Sequence, residues 1–406
     1  HRTTGGHALF TVETVAAMQE RGDLVRDPEN RWVAGDSISW DRLPPRVEAA
    51  VAARTMQLPA ELRHDLEAAS IQGRVFLADV VAVARGSTPD AVGGRLAQLT
   101  VTSHPLVEYL GTVDAEGRRL DRYRFRHDVF QGTIEDGISG PDRARLHEAA
   151  GRAVADLFAE QSDEVAVDLA RHFDAAGLVD EAIVAHERAG RRALRLSATA
   201  EAVVHLRRAI ELLDGQDESA ARNVHTLGLL SALGTCLQAL AGYNASGTHD
   251  VDERVRSLIP VVGTTMESAQ ALGALIAVDG LRAHYGAATE GAEHLLEMSH
   301  TFDAAPIEAV AHTQLGWMSL VTARLGEAGE QLGRAIGMYD DEWDLWLTDA
   351  VGVHVAATAL SWRALQRWYS GCSDQALCDG ERAIELARRA DSPFSLVFAL
   401  QVAGST

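Results

Sequence analysis

Arg122-Tyr123-Arg124-Phe125-Arg126-His127-Asp128-Val129-Phe130-Gln131 is where the chain changes character. The alternation from Tyr123 to His127 puts Tyr123, Phe125 and His127 on one face of a strand and Arg124 and Arg126 on the other. A helical pattern starts almost at once after it. Upstream, short helices mix with a hairpin; downstream, from Arg143 onward, apolar residues recur with a 3.6-residue period to the last residue. The stretch reads as the junction between a small mixed module and an array of helices.

Working upstream, three short helices are predicted between Pro59 and about Thr100: Ala60 to Ile71, Leu77 to Ala84, and Pro89 to Leu99. Gly73 and Gly86-Ser87-Thr88-Pro89 separate them, with Ser87 or Thr88 as a cap. Leu106 to Val113, the turn Asp114-Ala115-Glu116-Gly117 and the strand Tyr123 to His127 follow. Three helices and then a hairpin is the order of a winged-helix domain. Further upstream, an amphipathic helix is expected from Ala8 to Arg21, with Leu9, Val12, Val15, Ala16 and Met18 at helical spacing and Gly22 as its stop. Two short strands are expected around Leu24-Val25 and Arg31-Trp32-Val33. A helix opened by Leu43-Pro44-Pro45 carries Val47, Val51 and Met56.

Working downstream, breaks fall at Gly177, Gly215, Gly242 to Asp250, Ala304 to Pro306, Gly326, Gly371 and Pro393. Gly177, Ala182, Ala189 and Ala193 recur at identical offsets as Gly371, Ala376, Ala383 and Ala387, and the seven-residue pair reappears as Ala202/Ala209 and Ala328/Ala335. Small residues one and two turns apart let helices approach closely, and a glycine at the turn accommodates positive φ. That is the physics of a helix-turn-helix solenoid. The expected fold is mainly α: a small winged-helix domain with a β-hairpin, then an α-helical solenoid. Trp317, Trp343, Trp346, Trp362 and Trp368 cluster in the last third. Most are expected in the core, and the rest on a concave groove of the kind that takes peptides or partner helices.

Composition excludes several functions. The chain has 406 residues, 47% of them hydrophobic, which is enough to bury the cores of more than one domain. Its 58 acidic and 37 basic side chains leave a net charge of -21, which repels a phosphate backbone, so no direct nucleic-acid binding is expected. The nearest basic patch is Arg118, Arg119, Arg122, Arg124 and Arg126, read as a surface hairpin. All 37 basic residues are arginine. A phosphate-binding loop of the form G-x-x-x-x-G-K-[ST] is therefore impossible in this chain, as is a lysine Schiff base. Cys236, Cys372 and Cys378 have neither the number nor the spacing of a disulfide framework or zinc site. No run approaches 18 uninterrupted apolar residues, so no membrane association and a cytoplasmic location are expected. The chain opens on His1 and stops after Ala403-Gly404-Ser405-Thr406, as a piece of something longer would.

Catalytic and metal patterns fail on inspection. His147-Glu148 and His186-Glu187 start like H-E-x-x-H, but Gly151 and Gly190 stand where the second histidine belongs. Glu290, Glu293, His294 and Glu297 read as a solvated acidic face, and Asp340-Asp341-Glu342 with Asp344 as a charged turn. Ser139 has no nucleophile elbow around it. No catalytic site and no metal site are expected.

The repeats from roughly 160 to 406 resemble tetratricopeptide repeats, although the period is irregular and Gly326 to Asp340 is a few residues short. Gly5-Gly6-His7-Ala8-Leu9-Phe10 opening a helix, then the winged-helix order ending at His127, then the repeats, together resemble the C-terminal part of a bacterial STAND-class signal-transduction ATPase. Gly22 to Asp27 with Arg31-Trp32-Val33, and Ser392 to Leu400, are also similar to segments of that class. The resemblance implies a lid remnant over residues 1–55, a winged-helix domain over 56–138 and a repeat sensor over 139–406. It also implies nucleotide-binding and output domains N-terminal to this chain, ATP or ADP as cofactor of the full-length protein, and a protein or small-molecule signal on the repeats. Two positions carry over to nucleotide contact: Gly6, in an element whose usual proline is Ala8 here, and His127, whose imidazole can donate to a phosphate oxygen. The alternative for His127 is that it ends its strand on a backbone carbonyl. The resemblance fits a transcriptional regulator, or the same module of an adenylate or guanylate cyclase; a stand-alone repeat scaffold is the alternative from another class.

Overall fold

The fold was obtained as a computed structural model, which describes residues 55–101, 105–340 and 353–405, with short pieces at 15, 19, 24–26, 31–34 and 343. Gly6, most of the expected helix from Ala8 to Arg21, and the start of the helix expected after Leu43 lie outside the described residues. The chain divides into two compact units, His1–Leu196 and Ser197–Thr406.

In the first unit, strands β1 (Leu24–Arg26) and β2 (Trp32–Ala34) pair antiparallel, Arg26 lying over the Trp32 ring at 4.7 Å. Next come α1 (Ala60–Ser70), β3 (Val75–Leu77), α2 (Ala78–Arg85), α3 (Pro89–Thr100), β4 (Val107–Ala115) and β5 (Arg118–Phe125), the sheet running β3-β5-β4, antiparallel throughout. This helix-strand-helix-helix-strand-strand order, with the first strand against the last, is the winged-helix arrangement. The three helices were legible. The strand β3 was not, because Val75-Phe76-Leu77 is a three-residue apolar run that merges into the α2 pattern; its register with Arg124, Tyr123 and Arg122 completes the sheet. Thr88 caps α3 by accepting from the Ala91 N–H at 3.3 Å.

The alternation read at the outset holds: Tyr123 and Phe125 are buried with Phe76, whose ring centroid lies 5.1 Å from that of Phe125. Arg126 is exposed, and Arg124 forks onto Glu108 with two bonds of 3.1 Å. The strand begins at Arg118, earlier than the expected Tyr123, since Leu120 is buried opposite Val113. Beneath the sheet, Asp65 is fully buried and held bidentately by Arg95. Helices α4 (Asp128–Asp136), α5 (Gly140–Leu157), α6 (Ala166–Ala176) and α7 (Val179–Arg195) complete the unit. Arg171 of α6 donates to the carbonyls of Ile71 and Gln72, tying the first helical hairpin to the end of α1.

Among the described residues the second unit is helical: α8 (Thr199–Asp214), α9 (Ala220–Ala241), α10 (Ser246–Val262), α11 (Met266–Leu281), α12 (Tyr285–Phe302), α13 (Ala305–Val321), α14 (Leu325–Gly337), α15 (Val355–Tyr369), α16 (Ser373–Arg389) and α17 (Pro393–Ala403). From α9 on, consecutive helices pair as hairpins: α9/α10, α11/α12, α13/α14 and α15/α16. The expected small residues all sit at helix contacts: Ala182, Ala189 and Ala193, Ala376, Ala383 and Ala387, Ala202 and Ala209, and Ala328 and Ala335 are buried. α14, at 13 residues, is the short helix that the Gly326 to Asp340 segment suggested. α9 is long and apolar enough by length and composition to cross a membrane, a property the uninterrupted-run criterion missed; it packs between α8 and α10 with nine buried residues.

Six turns of the helical array are closed the same way. The N–H after a left-handed residue bonds the carbonyl five residues back: Leu178 to Phe173, His284 to Asp279, Ala304 to Ser299, Arg324 to Ser319, Cys372 to Arg367 and Ser392 to Ala387, at 2.8–3.2 Å. Glycine holds the left-handed position at Gly177 and Gly371, whereas Ala283, Asp303, Ala323 and Asp391 hold it elsewhere. This corrects the break expected at Gly326. The turn is at Ala323, three residues earlier, and Gly326 lies inside α14. Turns at Ala283 and Asp391, spelled without glycine, carried a weaker signal for the same reason.

Close approach also rests on glycines inside helices. A Cβ on Gly316 of α13 would stand 2.5 Å from Cγ of the fully buried Leu332 of α14 and 3.2 Å from its backbone nitrogen. Gly316→Ala is therefore expected to lower the unfolding free energy by about 1–2 kcal/mol, the clash outweighing the roughly 1 kcal/mol that alanine adds in a helix interior. A stability equal to or above the parent's in urea unfolding would contradict this packing.

Candidate functional site

In the repeats of the second unit, first helices touch first helices: α9 meets α11, α11 meets α13, α13 meets α15, and α15 meets α17. Stacked hairpins that touch in this way present one continuous face. Along it runs a ladder of rings from three successive first helices. Trp317 of α13 stacks on Trp362 of α15 at 5.3 Å with planes 13° apart, and Trp362 meets Phe398 of α17 at 4.9 Å and 59°. The ladder begins at Gly280 of α11, where a Cβ would come within 2.6 Å of the Trp317 ring. All three aromatic side chains are only half-buried.

The other tryptophans divide. Trp343 packs on a core cluster of Ala309 and Val355, Trp368 is exposed, and Trp346 lies outside the described residues. Trp362 likewise packs on a core cluster of Leu332, Ala335 and Ala359, so the expectation that most tryptophans are core fits Trp343 and Trp362 alike.

Below the ring ladder, carboxylates and guanidinia pair across helices. Asp379 of α16 accepts from Arg363 at 2.8 and 2.7 Å and lies 2.7 Å from Arg367, both arginines on α15. Asp279 of α11 accepts from Arg256 of α10 at 3.1 and 3.0 Å. Asp252 of α10 pairs with Arg282 at 2.9 Å; burial pushes its carboxyl up while Arg282 pulls it down. A cavity of about 20 Å³ beside Asp252, lined also by Leu230, Gly234 and Leu275, has room for one water and not for a ligand. Sequence inspection missed these pairs, because each needs a partner from another helix. The available signal was a lone aspartate on the buried side of a small-residue helix, as Asp379 is beside Gly380.

In the first unit, His147 of α5 and His172 of α6 are buried with their Nδ1 atoms 3.0 Å apart. The Arg171 guanidinium lies 3.2 Å from His172 Nε2 and can only donate, so that nitrogen accepts. His172 then carries its proton on Nδ1 and donates it to Nδ1 of His147, which carries its own on Nε2. Burial, with Arg171 and then Arg143 adding repulsion, holds His147 down to about 4. Burial, Arg171 and His147 hold His172 down to about 2. Gly151, which spoils the zinc motif in the sequence, has a packing reason: a Cβ there would be 2.7 Å from the Phe173 ring.

His127 lies two residues past the end of β5, at the N-cap of α4, half-buried, with its ring 5.6 Å from that of Phe130. Gly6 is outside the described residues. Arg118, Arg119, Arg122 and Arg126 are exposed on the β4–β5 hairpin. Cys236 is buried, and Cys372 and Cys378 are exposed. Among the described residues no three His, Cys, Asp or Glu side chains stand together as metal ligands would.

The chain is thus a mainly α protein in which a small winged-helix-like module precedes tetratricopeptide-like helical hairpins. No protein-family model and no curated protein matches it. Among solved structures it is similar to BtubC (BKLC) from P. vanneervenii, at 14% identity over 58% of this chain and 89% of that one, with a TM-score of 0.43. It is also similar to the apo form of RapI, at 10% identity over 68% and 72% with a TM-score of 0.43. A third is the Signal Transduction ATPase with Numerous Domains (STAND) protein with a tetratricopeptide repeat sensor, PH0952 from Pyrococcus horikoshii. Identity there is 11% over 91% of this chain and 56% of that one, with a TM-score of 0.41. At such identities and scores the likeness is one of fold.

Proposed function

We propose that this chain is the regulatory and sensor part of a STAND-class signal-transduction ATPase that controls transcription, and that its repeats hold a protein partner or small-molecule signal on the face of their first helices. The observation that carries the binding role is the half-buried ladder Trp317, Trp362 and Phe398. The ATPase assignment rests on the sequence resemblance, with residues 1–55 as lid remnant, 56–138 as winged helix and 139–406 as sensor. In this reading ATP or ADP is held by a nucleotide-binding domain elsewhere in the full-length protein, and His127, at the N-terminal end of α4, reaches its phosphates in the closed state. A signal on the repeats opens the assembly only if it binds the open form more tightly than the closed one.

The binding role is tested by selecting peptides against the intact chain from a random library. Selected peptides are expected to lose about tenfold in affinity or more for Trp362→Ala, as removal of a central aromatic does. They should keep their affinity for Glu293→Ala, on the second helix α12. Equal binding to both variants, with folding verified by circular dichroism, would contradict the assignment of the face.

A further inference from the structure

We propose that the buried His147–His172 pair is an acid-sensitive latch: a proton taken up by the pair expels Arg171 from the end of α1 and so loosens the helical hairpin α5/α6 from the winged-helix module. The device is independent of nucleotide and of what the repeats hold.

The four ring nitrogens have room for two protons. One guanidinium, that of Arg171, donates to the Ile71 carbonyl, to the Gln72 carbonyl at 3.0 Å and to His172 Nε2 at 3.2 Å. His172 Nε2 therefore stays bare, and the Nδ1–Nδ1 contact of 3.0 Å holds a single proton. With His147 Nε2 protonated, the pair is full. A third proton on His172 Nε2 sets donor against donor and cation against cation at Arg171; between the two Nδ1 atoms it parts the rings. Either way α6 shifts, and α6 carries Arg171. The Arg171 side chain is 40% exposed and has Asp168 at 3.4 Å, so it has water and a carboxylate to move to. Because α2 packs on α5, the module stays attached when the latch opens, and what separates is α6 from the end of α1.

The surrounding charges oppose the extra proton. Arg143 of α5 and Arg171 of α6 repel it. Carboxylates of the packed elements are engaged elsewhere: Glu148 and Glu181 with Arg152, Asp174 with His186, Glu61 and Asp65 with Arg85, and Asp79 with the Asp121 N–H. Glu67, half-buried on α1, lies one turn before Ile71. Burial adds to the repulsion, so both rings titrate below their ordinary range while latched and return toward about 6.5 on release. The latch is fully closed above about pH 6.5 and weakens as pH falls. From about pH 7.5 to about pH 5.5, opening gains about tenfold for each ring that regains its ordinary value.

The experiment measures amide-exchange protection factors of the intact chain at about pH 7.5 and about pH 5.5, over residues 166–176 and 71–77, with residues 376–387 as reference. The parent is expected to lose about tenfold or more at both joint segments and little at the reference. In His147→Gln/His172→Gln, whose amides donate and accept without titrating, that loss should largely vanish. In Arg171→Leu, residues 71–77 should exchange readily at both pH values while α3 stays protected. Circular dichroism verifies folding; if the double variant does not fold, His172→Gln alone takes its place, with an expected loss about threefold smaller than the parent's or less. A variant of the pair that keeps the parent's full pH effect would show that the pair is not the sensor. The latch is also overturned if α5 and α6 loosen in acid while residues 71–77 keep their protection, or if Arg171→Leu leaves those residues as protected as in the parent at about pH 7.5.

Discussion

Asp379→Ala is expected to lower the unfolding free energy by about 3 kcal/mol, because it leaves two guanidinia without their carboxylate. Asp379 is 5% exposed and receives Arg363 through two bonds and Arg367 through a third contact of 2.7 Å. Breaking a buried pair from one side strands the other charge, and here one substitution strands two. Arg367, at 28% exposure, recovers some hydration, which keeps the loss at the lower end of the usual range. Asp379→Asn retains one acceptor and should lose less. Trp362 and Trp368 lie on α15 itself, so urea unfolding followed by tryptophan fluorescence reports on the affected hairpin. A loss below about 1 kcal/mol would mean that the pair acts as an exposed one.

Acid is expected to loosen the α5/α6 contact on the order of 3 kcal/mol between pH 6.5 and pH 4.5. The sign follows from the depressed values of His147 and His172, about 4 and about 2. Below pH 6.5 the unfolded chain takes up protons on both rings and the folded chain does not, so stability is full above 6.5 and falls as pH drops toward the folded values. Protonating His172 would also set a charge against Arg171 and end its role as acceptor. Amide exchange within α5 and α6 should therefore quicken over that window in the parent and less so in His147→Gln, which keeps only the share of His172. Exchange independent of pH-driven opening in the parent would contradict a buried neutral pair.

What the sequence showed and what it hid divide by the range of the interaction. Ala182/Ala189 and Ala376/Ala383 recur at fixed offsets because a helix contact is set by residues one and two turns apart, and all four are buried as that recurrence implies. The alternation Tyr123, Phe125, His127 was legible for the same local reason. Turns were legible where glycine supplied positive φ, at Gly177 and Gly371, and misplaced where Ala323 supplied it. The His147–His172 pair spans 25 residues, and the Arg363–Asp379 pair spans 16 across a turn; neither has a local pattern to betray it. For the candidate site, spacing pointed to Trp362 and the groove as an outlet for tryptophan, but the Trp317–Trp362–Phe398 ladder required knowing which helices stack.

The measurement that tests the signalling-ATPase reading most directly is the nucleotide retained by the full-length protein after purification, with His127 and with His127→Ala. The account predicts ADP bound to the parent form and released faster from His127→Ala, with the repeats folded in both. A full-length protein that carries no nucleotide, or one whose nucleotide is held equally by the two forms, would contradict it.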